Sequence, residues 1–415
     1  YYLHYFSRKQ PDLNWENPEV RQEIFDMMRF WFDKGIDGFR MDSISLIAKD
    51  PSFPLIDSKK YPDIFSFYAK EPRLHLYLHE MNRQVLSKYD CMSVGEGSAV
   101  MVDDVAKFVD PAREELNMLY HFDAARIRNT TLPDNPESGI DYSLIALKKM
   151  STEWDKAVDK GWPSIYLGNH DQPRMVSRFG SDKDEFRALS AKMLITFLLT
   201  MRGTPYWFAG DEIGMRNIRF DRIEDYNDID TINRYKKAKA EGKDPQAVLD
   251  EQKETGRDNA RTPFQWDRSP EAGFTAGTPW LKVNPDYTWI NVADEEKDPT
   301  SILNYFKKVV SFRKENPSLI YGSYHLLDAE NPQSYTFLRK TGADTYLIML
   351  NFSPKATIST PGIDMSNAHV LLDNYGDRSH MAPQKDITLR PFEAIVFQLN
   401  HPVYESFIDS LDLLE

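Results

Sequence analysis

Helical segments alternate with short apolar strands along most of the chain, and several of these strands end in a carboxylate. The clearest cases are the strands that end in Asp42, Glu96 and Asp171, each of which follows a helical segment. This alternation predicts a parallel sheet with helices packed against it. Polar residues at the carboxyl ends of parallel strands indicate an active-site edge, as in a (β/α)8 barrel or a doubly wound sheet.

Composition excludes several other classes of protein. The 415 residues carry 51 Lys and Arg against 64 Asp and Glu, a net charge of −13, which argues against a nucleic-acid partner. A single cysteine, Cys91, excludes an intrachain disulfide and a multi-cysteine metal site. The longest apolar stretch, residues 193–201, is too short to span a bilayer, and no signal peptide is visible. We therefore expect no membrane partner and a cytoplasmic location.

A change of pattern divides the chain into two predicted domains. Residues 1–316 follow the helix–strand alternation and are predicted to form a catalytic barrel, with a charged loop excursion at about 216–262. Beyond Pro317 strand patterns dominate, so residues 317–415 are predicted to form an all-β domain. Its strands are expected at 335–337, 346–352, 370–372 and 387–399, with a turn at 341–344 between the first two.

The carboxylates have different local environments, which indicates different chemical roles. Arg40 and Asp42 share one face of a strand, and an arginine beside a carboxylate keeps it ionised and oriented, as a nucleophile requires. Glu96 has small apolar neighbours in sequence and no charge partner there, so we expect a raised pKa suited to a general acid and base. Such a pair is typical of glycoside hydrolysis. Asp171 is expected to bind sugar hydroxyls.

The simpler interpretation of a strand-end carboxylate is a helix cap or a surface ion pair. That interpretation is the better one for any single acid in this set. Three acids at successive strand ends favour an active site instead.

Eight segments carry short motifs: GFRMD at 38–42, VGE at 94–96, GNHDQPR at 168–174, QPDLN at 10–14, GTP at 203–205, GDEIG at 210–214, RDNARTP at 257–263 and LRPFEA at 389–394. In this order and spacing they resemble the α-amylase superfamily, glycoside hydrolase family thirteen, and within it the oligo-1,6-glucosidase subfamily. The resemblance implies a (β/α)8 TIM barrel, of which strands four to eight lie in this chain, followed by an antiparallel β-sandwich. It also implies retaining cleavage of α-glucosidic bonds, with Asp42 as nucleophile, Glu96 as acid and base, and Asp171 as transition-state stabiliser.

Further residues are expected to contact the sugar if the resemblance holds. Arg40 and His170 would hold the glucose unit in the cleavage subsite. Arg174 and Arg257 are further expected sugar contacts, with a structural ion pair as the alternative for each. Ser43 matches neither the Val typical of members that cleave α-1,6 bonds nor the Ala or Thr typical of α-1,4 enzymes, which leaves the linkage open.

The family's first conserved region and first three barrel strands have no counterpart in these residues. We therefore expect residues 1–415 to be the C-terminal part of a longer enzyme that is a monomer when full length. We expect no cofactor and no metal in this chain, and a structural calcium site could lie in the missing N-terminal part. The expected partner is a short oligosaccharide substrate.

The leading functional prediction is a retaining exo-α-glucosidase acting on α-1,6 or α-1,4 bonds of short oligosaccharides. A sucrose isomerase or glucosyl transferase with the same three acids is an alternative. A second alternative is a non-catalytic relative, similar to the heavy chains of amino-acid transporters. The presence of Asp42, Glu96 and Asp171 argues against that second alternative.

Overall fold

The structure is a computed structural model that describes residues 1–57, 59–61, 63–342, 344–366, 368–378 and 385–399. The chain divides into two compact units. The first combines Tyr1–Asp123 with Glu153–Ser164, and the second combines Ala124–Thr152 with Ile165–Glu415. The domain boundary expected after residue 316 stays a prediction.

The first unit is built around a parallel sheet of three strands in the order β1-β2-β3. The strands are β1 (Gly38–Met41), β2 (Met92–Glu96) and β3 (Met118–Tyr120). The helices that lie wholly within this unit are α1 (Pro18–Asp33), α2 (Ile64–Tyr68), α3 (Arg73–Gln84) and α4 (Val102–Val109). Parallel strands that follow helices confirm the predicted alternation in this part of the chain.

Helix α1 begins at a sequence that favours the start of a helix. The side chain of Asn17 accepts a hydrogen bond from the backbone N–H of Glu19 over 3.0 Å, and Pro18 occupies the first turn. The helix ends at Asp33, shortly before Gly35, whose φ of 93° continues the chain in a conformation that favours glycine. The chain can then enter β1 directly.

The second unit contains the remaining helices and strands, apart from three elements that cross the boundary between the units. Its helices are α7 (Met175–Phe179), α8 (Arg187–Thr200), α9 (Ile229–Ala240), α10 (Pro245–Thr255), α11 (Val292–Glu295), α12 (Ile302–Glu315) and α13 (Ser318–Tyr321). Helices α5 (Asp123–Thr130) and α6 (Leu144–Ala157) and strand β4 (Ser164–Ile165) cross the boundary between the units. Strand β4 pairs with β5 (Thr204–Pro205) as a separate two-stranded sheet, so the expected count of barrel strands stays a prediction.

The charged segment at about 216–262 is more ordered than the loop that its composition predicts. It contains α9 and α10, and Asp228 and Asp244 cap the beginnings of these helices. Phe220, Tyr226 and Leu249 are buried together with Leu281. A few well-placed apolar residues therefore support two helices, although charged residues dominate the segment.

The C-terminal strands form an antiparallel sheet in the order β10-β12-β8-β7-β6 and a second sheet of β11 and β9. The strands are β6 (Ser323–Leu327), β7 (Ser334–Thr341), β8 (Asp344–Asn351), β9 (Thr357–Ser359), β10 (Ala368–Asp373), β11 (Ile387–Leu389) and β12 (Ala394–Leu399). All four predicted strand regions are therefore confirmed, and the region at 387–399 is split into two strands. Ala343, inside the predicted turn at 341–344, lies outside the described residues.

Side chains alternate between the two faces of the larger antiparallel sheet, as the strand period of two requires. Phe337 and Ile348 belong to a core that includes the apolar helix α8. Leu338 and Leu347 belong to a separate core that includes Ile387 and other residues of the smaller sheet. The larger sheet is therefore buried on both faces. In the part of the chain that the structure describes, no helix is long and apolar enough to cross a membrane.

Candidate active site

The pairing of β1 with β2 brings two of the predicted acids to neighbouring strand ends. Met41 is opposite Gly95 in the parallel register, so Asp42 and Glu96 are the next residues along the two strands. The strands approach closely, since a Cβ on Gly38 would lie only 2.0 Å from the carbonyl oxygen of Met92. Side chains at matching ends of adjacent parallel strands face the same edge of the sheet.

Arg40 connects the two carboxylates. Its Nη1 donates to Oδ1 of Asp42, and its Nη2 donates to Oε2 of Glu96. The predicted contact with Asp42 is confirmed. The expectation that Glu96 lacks a charge partner is wrong, because Arg40 reaches it from the adjacent strand rather than from its own sequence neighbourhood.

Burial nevertheless dominates the ionisation of Glu96. Its side chain is 8% exposed, whereas that of Asp42 is 74% exposed. Burial raises the pKa of Glu96 to about 7, and hydrogen bonding to Asp42 acts in the same direction against the opposing charge of Arg40. The expected raised pKa is confirmed, although its cause is burial rather than the absence of a cation. Glu96 can therefore exchange a proton near neutral pH.

Three of the four predicted site residues of the second unit form another cluster. Asp171 Oδ1 accepts from Nη1 of Arg257 over 3.2 Å, and Asp171 Oδ2 lies 3.4 Å from Nε2 of His170. The backbone N–H of Asp171 donates to the side chain of Asn169 over 2.8 Å. The structure thus brings together three of the predicted sugar-contacting residues, His170, Asp171 and Arg257.

Two residues of this cluster, Arg261 and Asp228, were missed by sequence reasoning. Arg261 donates from Nη2 to Asp171 Oδ1 over 2.7 Å, and Arg257 donates to Asp228 Oδ1. The available signal was the spacing of Arg257 and Arg261 within one matched motif, because residues four apart around a helical turn can face the same side. No comparable pattern indicates Asp228.

Arg174 lies in a different environment from His170 and Asp171. Its side chain is 2% exposed, its Nη1 donates to the carbonyl oxygen of Ala209 over 2.7 Å, and it lies 3.7 Å from Oδ1 of Asp211. Burial raises the pKa of Asp211 to about 7 and lowers the pKa of Arg174. This burial favours the structural ion pair, the alternative to a sugar contact at Arg174.

Metal binding has no candidate in the described residues. No group of three or more His, Cys, Asp or Glu side chains among them has an arrangement that could hold a metal ion.

Two neighbouring carboxyl groups, one of them an acid with a raised pKa, are the arrangement typical of glycoside hydrolases. A family model described as the alpha amylase catalytic domain matches residues 1–322. The chain belongs to the alpha-amylase family of glycoside hydrolases. Membership implies a TIM barrel with a C-terminal antiparallel sheet domain, and the antiparallel sheet is present in this structure.

Individual relatives lie close to this chain in sequence. It is 48% identical over 412 residues to an oligo-1,6-glucosidase of Parageobacillus thermoglucosidasius, a match that covers 97% of this chain and 72% of that protein. It is 44% identical over 409 residues to an oligo-1,6-glucosidase of Bacillus cereus, covering 96% of this chain and 72% of the relative.

Solved structures of the family are similar along almost the whole chain. A trehalulose synthase mutant in complex with Tris matches with a TM-score of 0.90 at 38% identity, over 96% of this chain and 72% of that one. An isomaltulose synthase mutant of Erwinia rhapontici, in complex with its natural substrate sucrose, matches with a TM-score of 0.88 at 39% identity, over 97% of this chain and 72% of that one.

Proposed function

We propose that this protein is a retaining exo-α-glucosidase of the oligo-1,6-glucosidase type, acting on α-1,6 and α-1,4 bonds of short oligosaccharides. The observation that carries the proposal is the contact of Arg40 with both Asp42 and Glu96, together with the burial that raises the pKa of Glu96 to about 7. The names of the relatives from Parageobacillus thermoglucosidasius and Bacillus cereus support the substrate class.

The two carboxyl groups divide the chemistry of a double displacement. Protonated Glu96 donates its proton to the glycosidic oxygen while the Asp42 carboxylate attacks C1, so the C1–O bond to the leaving sugar breaks as the covalent glycosyl ester forms. Glu96, now ionised, then takes a proton from water, and the water oxygen attacks C1 and releases Asp42. Two inversions at C1 give α-glucose.

The remaining roles follow the resemblance to the family. Asp171 binds the sugar hydroxyls and stabilises the transition state, and Arg40, His170 and Arg257 hold the glucose unit. The reaction needs no cofactor. We assign β1 to β5 as strands four to eight of the TIM barrel, and residues 317–415 as the β domain.

The test is the anomer of the first-formed product. Proton NMR during hydrolysis of isomaltose and maltose by the protein is expected to show α-glucose before mutarotation. Initial β-glucose would contradict the proposal. A parallel incubation with sucrose separates the alternatives, since isomeric disaccharides as the main products would identify an isomerase rather than a hydrolase.

A matched pair of variants connects the activity to the site. Asp42→Asn is expected to abolish hydrolysis, because an amide is a poor nucleophile and cannot form the ester intermediate. Asp26→Asn is the control, since Asp26 also pairs with an arginine, Arg29, but lies on the exposed surface of α1. Equal activity of the two variants would remove Asp42 from the mechanism.

A further inference from the structure

An alternating chain of charges connects Asp171 to the protein interior. Asp171 Oδ1 accepts from both Arg257 and Arg261, and both guanidinium groups also approach Oδ1 of Asp228. The Asp228 side chain is 3% exposed, so it is the buried end of this chain, whereas that of Asp171 is 26% exposed. From the interior outward, the order is therefore the Asp228 carboxylate, the two arginines and the Asp171 carboxylate.

Asp228 is itself held firmly. Its Oδ2 accepts from the backbone N–H and the hydroxyl of Thr231 over 3.0 and 2.9 Å, and its own backbone N–H donates to Asp258 over 2.8 Å. Burial alone would raise the pKa of Asp228, but the Thr231 hydrogen bonds and Arg257 hold it below its ordinary value. Asp228 is thus a fixed anion to which the arginines can attach.

The two arginines make different contacts with the loop that carries Asp171. Arg261 donates from Nε to the backbone carbonyl of His170 and from Nη2 to Asp171 Oδ1, each over 2.7 Å. Arg257 makes one contact with Asp171, at 3.2 Å, and its side chain is 35% exposed against 21% for Arg261. A planar guanidinium that donates to two atoms of the His170-Asp171 dipeptide fixes both the position and the orientation of the Asp171 carboxylate. Arg257 has the looser contact with Asp171, because its Nη2 is hydrogen-bonded to Asp228 instead.

We infer that Arg261, which approaches the buried Asp228 carboxylate to 3.8 Å, is a positioning residue that sets the orientation of the Asp171 carboxylate during glycoside hydrolysis. The inference rests on the proposed function, in which Asp171 stabilises the transition state. By occupying Oδ1 of Asp171, Arg261 leaves Oδ2 directed to the side of His170, where it can accept from a sugar hydroxyl. Its loss lowers kcat rather than substrate affinity, because misplacing a stabilising group by a fraction of an ångström weakens the transition state most.

The test is a double-mutant cycle on an activated aryl α-glucoside, which keeps slow variants measurable. Arg261→Gln is expected to lower kcat by about 100-fold while KM changes less than about threefold. In the background of Asp171→Asn the same substitution is expected to lower kcat by less than about threefold, since its target carboxylate is gone. Arg261→Lys keeps the positive charge but cannot donate to His170 and Asp171 at the same time from a planar group, so an intermediate loss of kcat is expected.

Two further variants complete the experiment: one tests the role of Asp228, and the other is a control at an exposed arginine. Asp228→Asn keeps a side-chain acceptor for Thr231 but removes the anion, so it is expected to lower kcat in the same direction as Arg261→Gln. Arg268→Gln removes an exposed arginine that pairs with Asp294, and its kinetics are expected to match the unchanged protein.

The outcomes separate this inference from the proposed function. Equal losses from Arg261→Gln with and without Asp171→Asn would overturn the inference, because Arg261 would then act without Asp171. Full activity of Arg261→Gln and Arg261→Lys beside an impaired Asp171→Asn would overturn it as well. Full activity of Asp171→Asn alone would instead remove Asp171 from the proposed mechanism. If Arg261→Gln does not fold, the kcat and KM of Arg261→Lys decide the question.

Discussion

The backbone N–H of Ser43 donates a hydrogen bond to Oε2 of Glu96 over 3.3 Å. Ser43 directly follows Asp42 and has a φ of 44°, so the chain bends into a left-handed conformation immediately after the proposed nucleophile. Arg40 contacts Glu96 from the same short segment. One turn at the end of β1 therefore holds both the proposed nucleophile and the proposed acid.

Glu96→Gln is expected to affect substrates according to their leaving groups. Glutamine cannot donate the proton that a departing sugar needs, so kcat/KM on isomaltose is expected to fall by about 1000-fold or more. An activated aryl α-glucoside needs little protonation, so its first step is expected to lose far less. Glu295→Gln is the matched control, since burial also raises the pKa of Glu295 to about 7 outside this site. Equal losses on both substrates would contradict the assignment of Glu96.

The pH dependence follows from the raised pKa of Glu96. The reaction begins with protonated Glu96, so kcat/KM for disaccharides is expected to fall above about pH 7. Folded-state stability should change as well. The folded protein holds this proton at pH values where the unfolded chain has lost it, so the contribution of Glu96 is complete below its ordinary pKa and is lost as pH rises through about 7. Glu96→Gln should remove both effects, and a basic limb that persists in the variant would argue for another group.

Ser43 is expected to permit both linkages. Its side chain is small and half-buried beside Asp42, which leaves more room for a leaving sugar than the Val of typical α-1,6 enzymes. The ratio of kcat/KM values for isomaltose and maltose is expected to stay below about 1000, which corresponds to about 4 kcal/mol of discrimination. Ser43→Val is expected to favour isomaltose, and because Val is strained at the φ of 44° of this position, urea unfolding of the variant must show it folded; Ser52→Val on the exposed surface is the control. A larger ratio in the unchanged protein would contradict this expectation.

Arg339 is expected to be essential for stability rather than for catalysis. This fully buried side chain donates to the carbonyl oxygens of Thr200, Leu319 and Gly322 over 2.7, 3.0 and 2.7 Å, and Thr200 is the last residue of α8. Arg339→Met removes this donor from all three carbonyls, of which that of Leu319 keeps another donor, Arg313, so the free energy of unfolding is expected to fall by about 3 kcal/mol.

Urea unfolding measures the effect of Arg339→Met. Arg222→Met is the control, because Arg222 is exposed and pairs only weakly with Glu224 at 3.3 Å, and a change below about 0.5 kcal/mol is expected for it. A loss below about 1 kcal/mol for Arg339→Met would show that water or neighbouring groups replace the guanidinium.

Local patterns in the sequence were sufficient for much of the fold. The cap and proline at Asn17 and Pro18 are local signals for the beginning of α1, and the strand patterns beyond Pro317 predicted the C-terminal strands. Arg40 and Asp42 were predicted as partners because two residues apart on a strand lie on one face. Each of these features depends on residues that are close in the chain, so the sequence carries the information directly.

The sequence by itself indicated which acids follow the predicted strands, and it predicted the direction of the Glu96 pKa shift but not its cause, which is burial. Only the tertiary structure decided that Arg40 pairs with Glu96, which is 56 residues away in the sequence. It likewise decided that Arg261 donates a hydrogen bond to Asp171, which is 90 residues away in the sequence. It also decided that Arg174 is buried against Asp211. The physical reason is that burial and ion pairing depend on strand register and packing, which join distant parts of the chain, whereas periodicity and capping act within a few consecutive residues.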